Sequence, residues 1–317
     1  MLNLASALSS LFGLRIVRAS RLDALQNERD ILFQEGETLR RNLANARQNQ
    51  EQALSELYAL RVKTEAPQTC EDRLGRISII IPTMNSEPYI ELMLKYYHDL
   101  GVVVHVLVDS KTTDRTFEVA KRYASPQIMD NNTSVIPDDV MEEISKKAGT
   151  DWVLRLDDDE IPSRAMLDFV FKIIAFDDID VVGFRRYQCA VAKSGVVLFS
   201  QEHDSETHRQ WRLYRPQRMD FVKRIHSPGF RRNRQRSIKA PDDAFMIHLD
   251  WAVHSYEERL VKINRYEQHT PGSSNPWRPY YLYEENPHRF GRLNAPEFDG
   301  LAKAISERFS DLCVLTE

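Results

Sequence analysis

The chain has 317 residues, 42% of them hydrophobic and 28% charged, enough for one large domain or one domain with an extension. The net charge is only -4, a balance that argues against a protein dominated by nucleic-acid binding. The three cysteines, Cys70, Cys189 and Cys313, are odd in number and far apart; they form neither a disulfide framework nor a metal-ligand cluster, so a reducing, cytoplasmic compartment is expected.

Read in chain order, the first segment, Met1 to Val17, is apolar but broken by Ser9, Ser10 and Arg15. Its arginines come late rather than ahead of the apolar stretch, which is not the order of a secretory signal. It reads either as an amphipathic helix lying on a membrane surface or a partner, or as a helix packed on the protein's own surface or oligomer. No run approaches the roughly 18 apolar residues of a membrane span. From Leu22 to Leu60 a heptad pattern follows, with Leu22, Leu25, Leu32, Leu39, Leu43, Leu57 and Leu60 at a and d positions and Glu, Arg, Gln and Asn around them. Arg29 and Gly36 interrupt the seam. The spacing predicts a coiled coil of about five heptads, roughly 60 Å long at 1.5 Å per residue. A polar helix of that length cannot bury its stripe alone, so a homo-oligomer through residues 22–60 is expected, with a fold-back onto the rest of the chain as the alternative. Thr64 to Arg76, with Pro67, reads as a linker.

The pattern then changes. Arg76 to Pro82 and Val102 to Val108 are short β-branched runs of the kind buried on both faces of a sheet. Helices are expected over Tyr89–Leu100, ending at Gly101, over Asp114–Tyr123 and over Asp138–Ala148; further strands are expected over Gln127–Asp130 and Asp151–Leu156. Alternating strands and helices with short connections predict a doubly wound α/β sheet. In such sheets a ligand lies beyond the carboxyl ends of the strands. Three of those ends carry polar and acidic groups: Pro82-Thr83-Met84-Asn85-Ser86-Glu87, Asp109 to Thr116, and Asp157-Asp158-Asp159-Glu160. Neither GxGxxG nor GxxxxGK[ST] is present, which argues against a dinucleotide fingerprint and a phosphate-binding P-loop. Four consecutive carboxylates repel one another in a partly desolvated site unless a cation joins them. Hard oxygen donors suit Mg²⁺ or Mn²⁺ shared with substrate phosphates. The bland alternative is a helix N-terminus, with Asp159 or Ser163 capping a helix over Arg164–Ala175.

The segments Ile79–Glu87, Val108–Thr116 and Trp152–Glu160 together resemble the three opening motifs of family-2 glycosyltransferases, over roughly Arg76 to Gln268. The resemblance implies the GT-A fold, here a doubly wound mixed sheet preceded by a long coiled-coil helix, and an inverting, divalent-metal-dependent transfer of a sugar from a UDP-sugar to a glycan or glycolipid hydroxyl. It implies that Pro82, Thr83, Asn85 and Glu87 hold uracil and ribose and that Asp109 contacts the base. Asp157, Asp158 and Asp159 then match the Asp-x-Asp region, Asp157 and Asp159 serving the metal and Asp157 and Asp158 the nucleotide sugar. Asp109 also reads as a turn residue, with Asp114 as a helix cap. Glu206 to Arg215 and Arg224–His226 are similar to a subset acting on lipopolysaccharide-type glycans, except that Ser227 stands where that subset has glutamate. His248, in the apolar run Phe245–Trp251, matches the histidine that completes the metal or diphosphate site; otherwise it is a core residue. Candidates for the acceptor base are His226, Glu206, Asp204, Asp242 and Asp243, the last two alternatively a solvated turn.

The basic stretch from Lys223 to Lys239 reads as a solvated face or as a loop meeting an anionic acceptor, a membrane or the diphosphate, with nucleic acid disfavoured for want of interleaved aromatic residues. The aromatic run Asn275–Tyr283 either meets sugar faces or anchors the tail to the core. Residues 1–63 are thus expected as a helical segment, 64–76 as a linker, 77–270 as the catalytic domain and 271–317 as an extension packed on it, in a cytoplasmic protein with peripheral contact at the inner face of a membrane open as an option. Two rivals stand beside the UDP-sugar transferase. One is a sugar-phosphate nucleotidyltransferase, which would want a Gly- and Lys-rich loop after the first strand; the other is a non-catalytic glycan-binding scaffold organised by the coiled coil.

Overall fold

The computed structural model describes residues 2–64, 75–130, 141–203, 209–222, 229–231, 236–269, 271–272, 277–286 and 288–314, with side chains left undescribed at 2–20 and 22–24. Helix α1 covers Leu2–Thr64, and the chain divides into two compact units, Met1–Ala53 and Leu54–Glu317. The first unit is helical throughout its described length, and Leu25, Ile31, Leu32, Phe33, Leu39 and Leu43 are all exposed on it.

The second unit begins with the last turns of α1, where Tyr58 and Val62 enter the hydrophobic core, Tyr58 packs edge-on against Phe176, and Ser55 Oγ accepts from the Lys239 amide at 2.8 Å. Then come β1 (Ile77–Thr83), α2 (Ile90–Asp99), β2 (His105–Asp109), α3 (Thr116–Ala120), β3 (Gln127–Met129), α4 (Met141–Lys147) and β4 (Trp152–Arg155). These are followed by β5 (Glu160–Pro162), α5 (Arg164–Ile173), β6 (Val181–Val191), β7 (Val197–Ser200), β8 (Gln210–Tyr214), β9 (Asp220–Phe221), β10 (Phe230–Arg231), β11 (Ser237–Lys239) and β12 (Phe245–His248). The remaining elements are α6 (Asp250–Val253), α7 (Tyr256–His269), α8 (Arg278–Tyr281), β13 (Phe290–Arg292) and α9 (Asp299–Arg308).

The main sheet runs β13-β7-β6-β8-β4-β1-β2-β3. Its half β4-β1-β2-β3 is parallel, whereas β8 lies antiparallel to β4 and β6, extending the sheet into a mixed one. All seven residues of β1 are buried because both faces are covered. Ile77, Ile79, Ile81, Val106, Val108, Trp152 and Leu154 point into the larger core with α2 and α5, while the alternate residues Ile80, Leu107 and Val153 pack with Met141 and Tyr214 on the other face. The two-residue side-chain period of a strand makes that division. Helix α2 stops at Gly101, whose φ of +68° is the left-handed conformation that closes a helix at low cost; its amide bonds the His98 carbonyl at 2.9 Å.

Ser163 caps α5: its side chain accepts from the Met166 amide at 3.1 Å and its hydroxyl donates to the Asp243 carbonyl at 3.2 Å. Asp159 takes no part in that cap, so the acidic turn before α5 is free for other work. Ser163→Ala is expected to lower stability by about 1 kcal/mol, the ordinary value of a lost cap; thermal unfolding of the pair of proteins checks it.

The strand read over Phe245–Trp251 ends at His248, because Leu249 turns the backbone (φ -101°, ψ 14°) and α6 begins at Asp250. In the aromatic run, Tyr280 and Tyr281 are buried, and the Trp251 indole donates to the Tyr280 carbonyl at 3.0 Å. No helix among the described residues is long and apolar enough to cross a membrane.

Candidate active site

The acidic turn follows β4 directly and is held by backbone bonds. The Leu156 amide donates to the Ile80 carbonyl at 3.1 Å and the Glu160 amide to the Asp157 carbonyl at 3.0 Å. Strand β5 then pairs with β12 so that Glu160 faces His248, and β12 pairs with β6 so that His248 faces Gln188. The Leu249 amide donates to the Asp159 carbonyl at 2.9 Å. Sequence-distant residues are thereby fixed beside the turn by strand register, and the four carboxylates separate into different environments.

Asp157 and Glu160 lie among arginines. Arg212 donates to both, at 2.6 Å to Glu160; Arg186 reaches Glu160 at 2.9 Å, and Arg155 reaches Asp157 at 3.5 Å. Desolvation alone would raise the Asp157 pKa, but the guanidiniums of Arg212, Arg155 and Arg186 outweigh it and hold the carboxyl well below its usual range. Asp158 turns toward β1, where it accepts hydrogen bonds from Thr83 Oγ1 at 2.6 Å and from Ser86 Oγ. Burial and the neighbouring Asp159 charge push its pKa up.

Asp159 is buried and faces His248, with Oδ2 3.3 Å from Nε2. The other ring nitrogen of His248, Nδ1, lies 2.5 Å from Gln188 Oε1 and 3.2 Å from the Tyr280 hydroxyl. With the proton on Nδ1 the ring donates to Gln188 Oε1 and Nε2 carries a free lone pair; with the proton on Nε2 the ring donates to Asp159 instead. Asp250 is fully buried on the same side. Its Oδ1 lies 2.9 Å from Lys262 Nζ and 3.2 Å from His254 Nδ1, and its Oδ2, also buried, has no hydrogen-bond partner among the described residues. One donor atom each from Asp159, His248 and Asp250 lie within 4.8 Å of one another. Two carboxylate oxygens and an imidazole nitrogen, with one oxygen orphaned and the histidine oriented by an amide behind it, fit a divalent cation of the Mn²⁺ or Mg²⁺ kind. Of the expected metal residues, Asp159 and His248 lie in this group together with Asp250, while Asp157 lies among arginines.

The expected nucleoside residues sit at neighbouring strand ends. Pro82 and Thr83 are buried at the end of β1. Asn85, with φ +54°, accepts from the Thr113 amide at 2.8 Å. Glu87 accepts from the Arg115 amide and guanidinium at 2.9 and 2.8 Å. Asp109 is buried and accepts from the Lys111 amide at 2.8 Å, the turn role read for it; Asp114, read as a helix cap, accepts from the Thr116 amide at 2.9 Å, although the residue at the N-cap position of α3 is Arg115. The loops after β1 and β2 are thus stitched together into one wall beside the acidic turn. Asp242 and Asp243 are exposed in the turn before β12, Asp242 paired to Arg185 and Arg209 at 3.1 Å each. Asp204, Glu206 and His226 lie outside the described residues, as does most of the basic stretch, Lys223–Ser227 and Arg232–Gln235 included. The residues that sequence reasoning did not place here are Asp250, Lys262, Gln188, Arg186, Arg212 and Tyr280. Asp250 left a signal as a carboxylate two positions after a candidate metal histidine, and Arg212 and Tyr280 lie in the motif Glu206–Arg215 and the aromatic run Asn275–Tyr283 already singled out.

A mixed sheet whose parallel half ends in an acidic turn, closed from the far side by a histidine strand, is the architecture of a GT-A transferase. The sequence profile of glycosyl transferase family 2 matches residues 78–245, more than half of the chain. The chain belongs to glycosyl transferase family 2 and is a glycosyltransferase. Among solved structures it is similar to S. aureus TarS 1–349, at 16% identity and a TM-score of 0.40 over 66% of this chain and 70% of that one. It is also similar to the same fragment in complex with UDP-GlcNAc, at 18% identity and 0.41 over 66% and 71%, and to a CMP:2-keto-3-deoxy-manno-octonic acid synthetase, at 15% and 0.28 over 45% and 75%. Family membership rests on the profile match rather than on these likenesses. Among curated proteins no sequence match is found.

Proposed function

We propose that this glycosyltransferase moves a sugar from a UDP-sugar to a hydroxyl of a glycan or glycolipid, with inversion, using a divalent cation. The observation that carries the reading is the convergence of Asp159, His248 and Asp250 beside the carboxyl ends of β1, β2 and β4. A cation bound there supplies charge neutralisation and orientation for the departing nucleoside diphosphate. The chain's own part is to hold that site in shape. Gln188 keeps the His248 ring turned, Thr83 and Ser86 hold Asp158 at the sugar-nucleotide side, and Arg212 and Arg186 fix the turn by gripping Asp157 and Glu160. Pro82, Thr83, Asn85, Glu87 and Asp109 form the nucleoside wall. The acceptor proton passes to a base drawn from Asp204, Glu206 and His226.

Thermal unfolding with Mn²⁺ and UDP tests the donor class. A ligand at a hundred times its Kd adds about 2.7 kcal/mol, a rise of several degrees for a domain of this size. UDP with Mn²⁺ is expected to raise the midpoint by that much, and UDP without metal by far less. Equal shifts with and without metal would remove the cation from the mechanism.

The exposed stripe Leu25, Leu32, Leu39 and Leu43 supports pairing of α1 with further copies of the chain. A chain starting at Leu54 is expected to be a monomer by light scattering and to keep its activity. One starting at Thr64 loses Tyr58 and Val62 from the core and is expected to be less stable by about 3 kcal/mol or more.

A further inference from the structure

Helix α7 carries a cation into the middle of the candidate metal set. Lys262 Nζ lies 2.9 Å from Asp250 Oδ1 and 3.9 Å from Asp159 Oδ2, and its ammonium sits 5.6 Å from the centre of the Tyr281 ring. The same two carboxylates offered to a divalent ion are therefore already compensated in part by a charge of the chain's own. Counting Asp159, Asp250 and Lys262 alone, two carboxylates and one ammonium sum to a formal charge of only -1, and His254, 3.2 Å from Asp250, offsets the same carboxylate further when protonated. An incoming divalent ion meets the ammonium at short range in a weakly screened site. The Lys262 side chain is nevertheless 24% exposed, and its flexible stem lets the head turn from Asp250 toward an incoming anion. Asp250 Oδ2 is left without a partner among the described residues, so Lys262 restrains the site without filling it.

We propose that Lys262 is a charge-setting residue. It keeps the Asp159–His248–Asp250 set a weak site for a free divalent cation and makes tight binding depend on the diphosphate of the donor, whose negative charge offsets the ammonium. The proposal rests on the metal reading above, and it makes the order of assembly a property of one side chain: the cation is retained with the nucleotide and released with it.

The test is Mn²⁺ titration of the full chain followed by the electron paramagnetic resonance of free Mn²⁺, with and without saturating UDP. The wild-type protein is expected to bind Mn²⁺ at least tenfold more tightly with UDP present. Lys262→Met is expected to bind Mn²⁺ alone at least tenfold more tightly than wild type, with the UDP enhancement correspondingly reduced. Lys262→Gln, neutral but able to hydrogen-bond Asp250, is expected to behave the same way and covers the case in which the methionine variant fails to fold. Lys262→Arg, which keeps the charge, is expected to stay within about threefold of wild type. Unchanged affinity for Mn²⁺ alone in both neutral variants, with Asp159→Asn still abolishing binding, overturns the role of Lys262 and leaves the metal site standing. Absence of Mn²⁺ binding by every protein, with or without UDP, overturns the metal reading and this inference with it.

Discussion

Asp159→Asn is expected to lower the metal-dependent turnover of a UDP-sugar by about 1000-fold, since a metal ion's charge stabilisation is worth several kcal/mol and each 1.36 kcal/mol is tenfold. The fold is expected to survive. The carboxamide is nearly isosteric, and Lys262 keeps its shorter contact, 2.9 Å to Asp250. The measurement is hydrolysis of UDP-sugars against Mn²⁺ concentration, beside circular dichroism and the thermal midpoint of each protein. Wild-type turnover in Asp159→Asn would rule out this carboxylate as a cation ligand. The control is Asp157→Asn. Because arginines hold Asp157, its replacement is expected to leave Mn²⁺ binding intact and to show itself mainly in stability. A loss of Mn²⁺ binding there would return Asp157 to the metal.

Among the single substitutions, Arg212→Met carries the largest expected cost in stability. The guanidinium is buried and bonds Glu160, whose side chain is wholly inaccessible, as well as Asp157. Removing one partner of such a group leaves charge uncompensated in a desolvated place, which costs about 3–5 kcal/mol. Arg186 remains on Glu160 at 2.9 Å, so the lower end of that range is expected. Urea unfolding is the measurement, with a fall of about 1 M or more in the midpoint at an ordinary slope. Arg212→Lys is expected to lie between the two proteins, since a point charge cannot reproduce the fork of contacts. An unchanged midpoint in Arg212→Met would mean that the acidic turn stands without its arginines. Because that turn also carries Asp159, partial loss of activity is expected to accompany the loss of stability.

The different fates of Asp157 and Asp159 mark the limit of what the chain's order alone reveals. Hydrophobic runs such as Ile77–Ile81 and Val106–Val108, the stop at Gly101 and the carboxylates directly after Arg155 and Leu156 are local facts. Strand period, helix punctuation and the rule that ligands meet strand carboxyl ends turn them into a sheet and a site. The helix over the heptads and the family motifs were legible for the same reason, because each depends on neighbours in sequence. The assignment of partners was not. His248 meets Gln188 and Glu160 through the registers of β12 with β6 and β5. Asp250 turns inward because the strand breaks at Leu249, and Lys262 and Tyr280 arrive from α7 and α8. Four adjacent acids look alike on paper; which lie among arginines and which face His248 and Lys262 is decided by which side chains the folded sheet brings within a few ångströms, and burial makes those distances count.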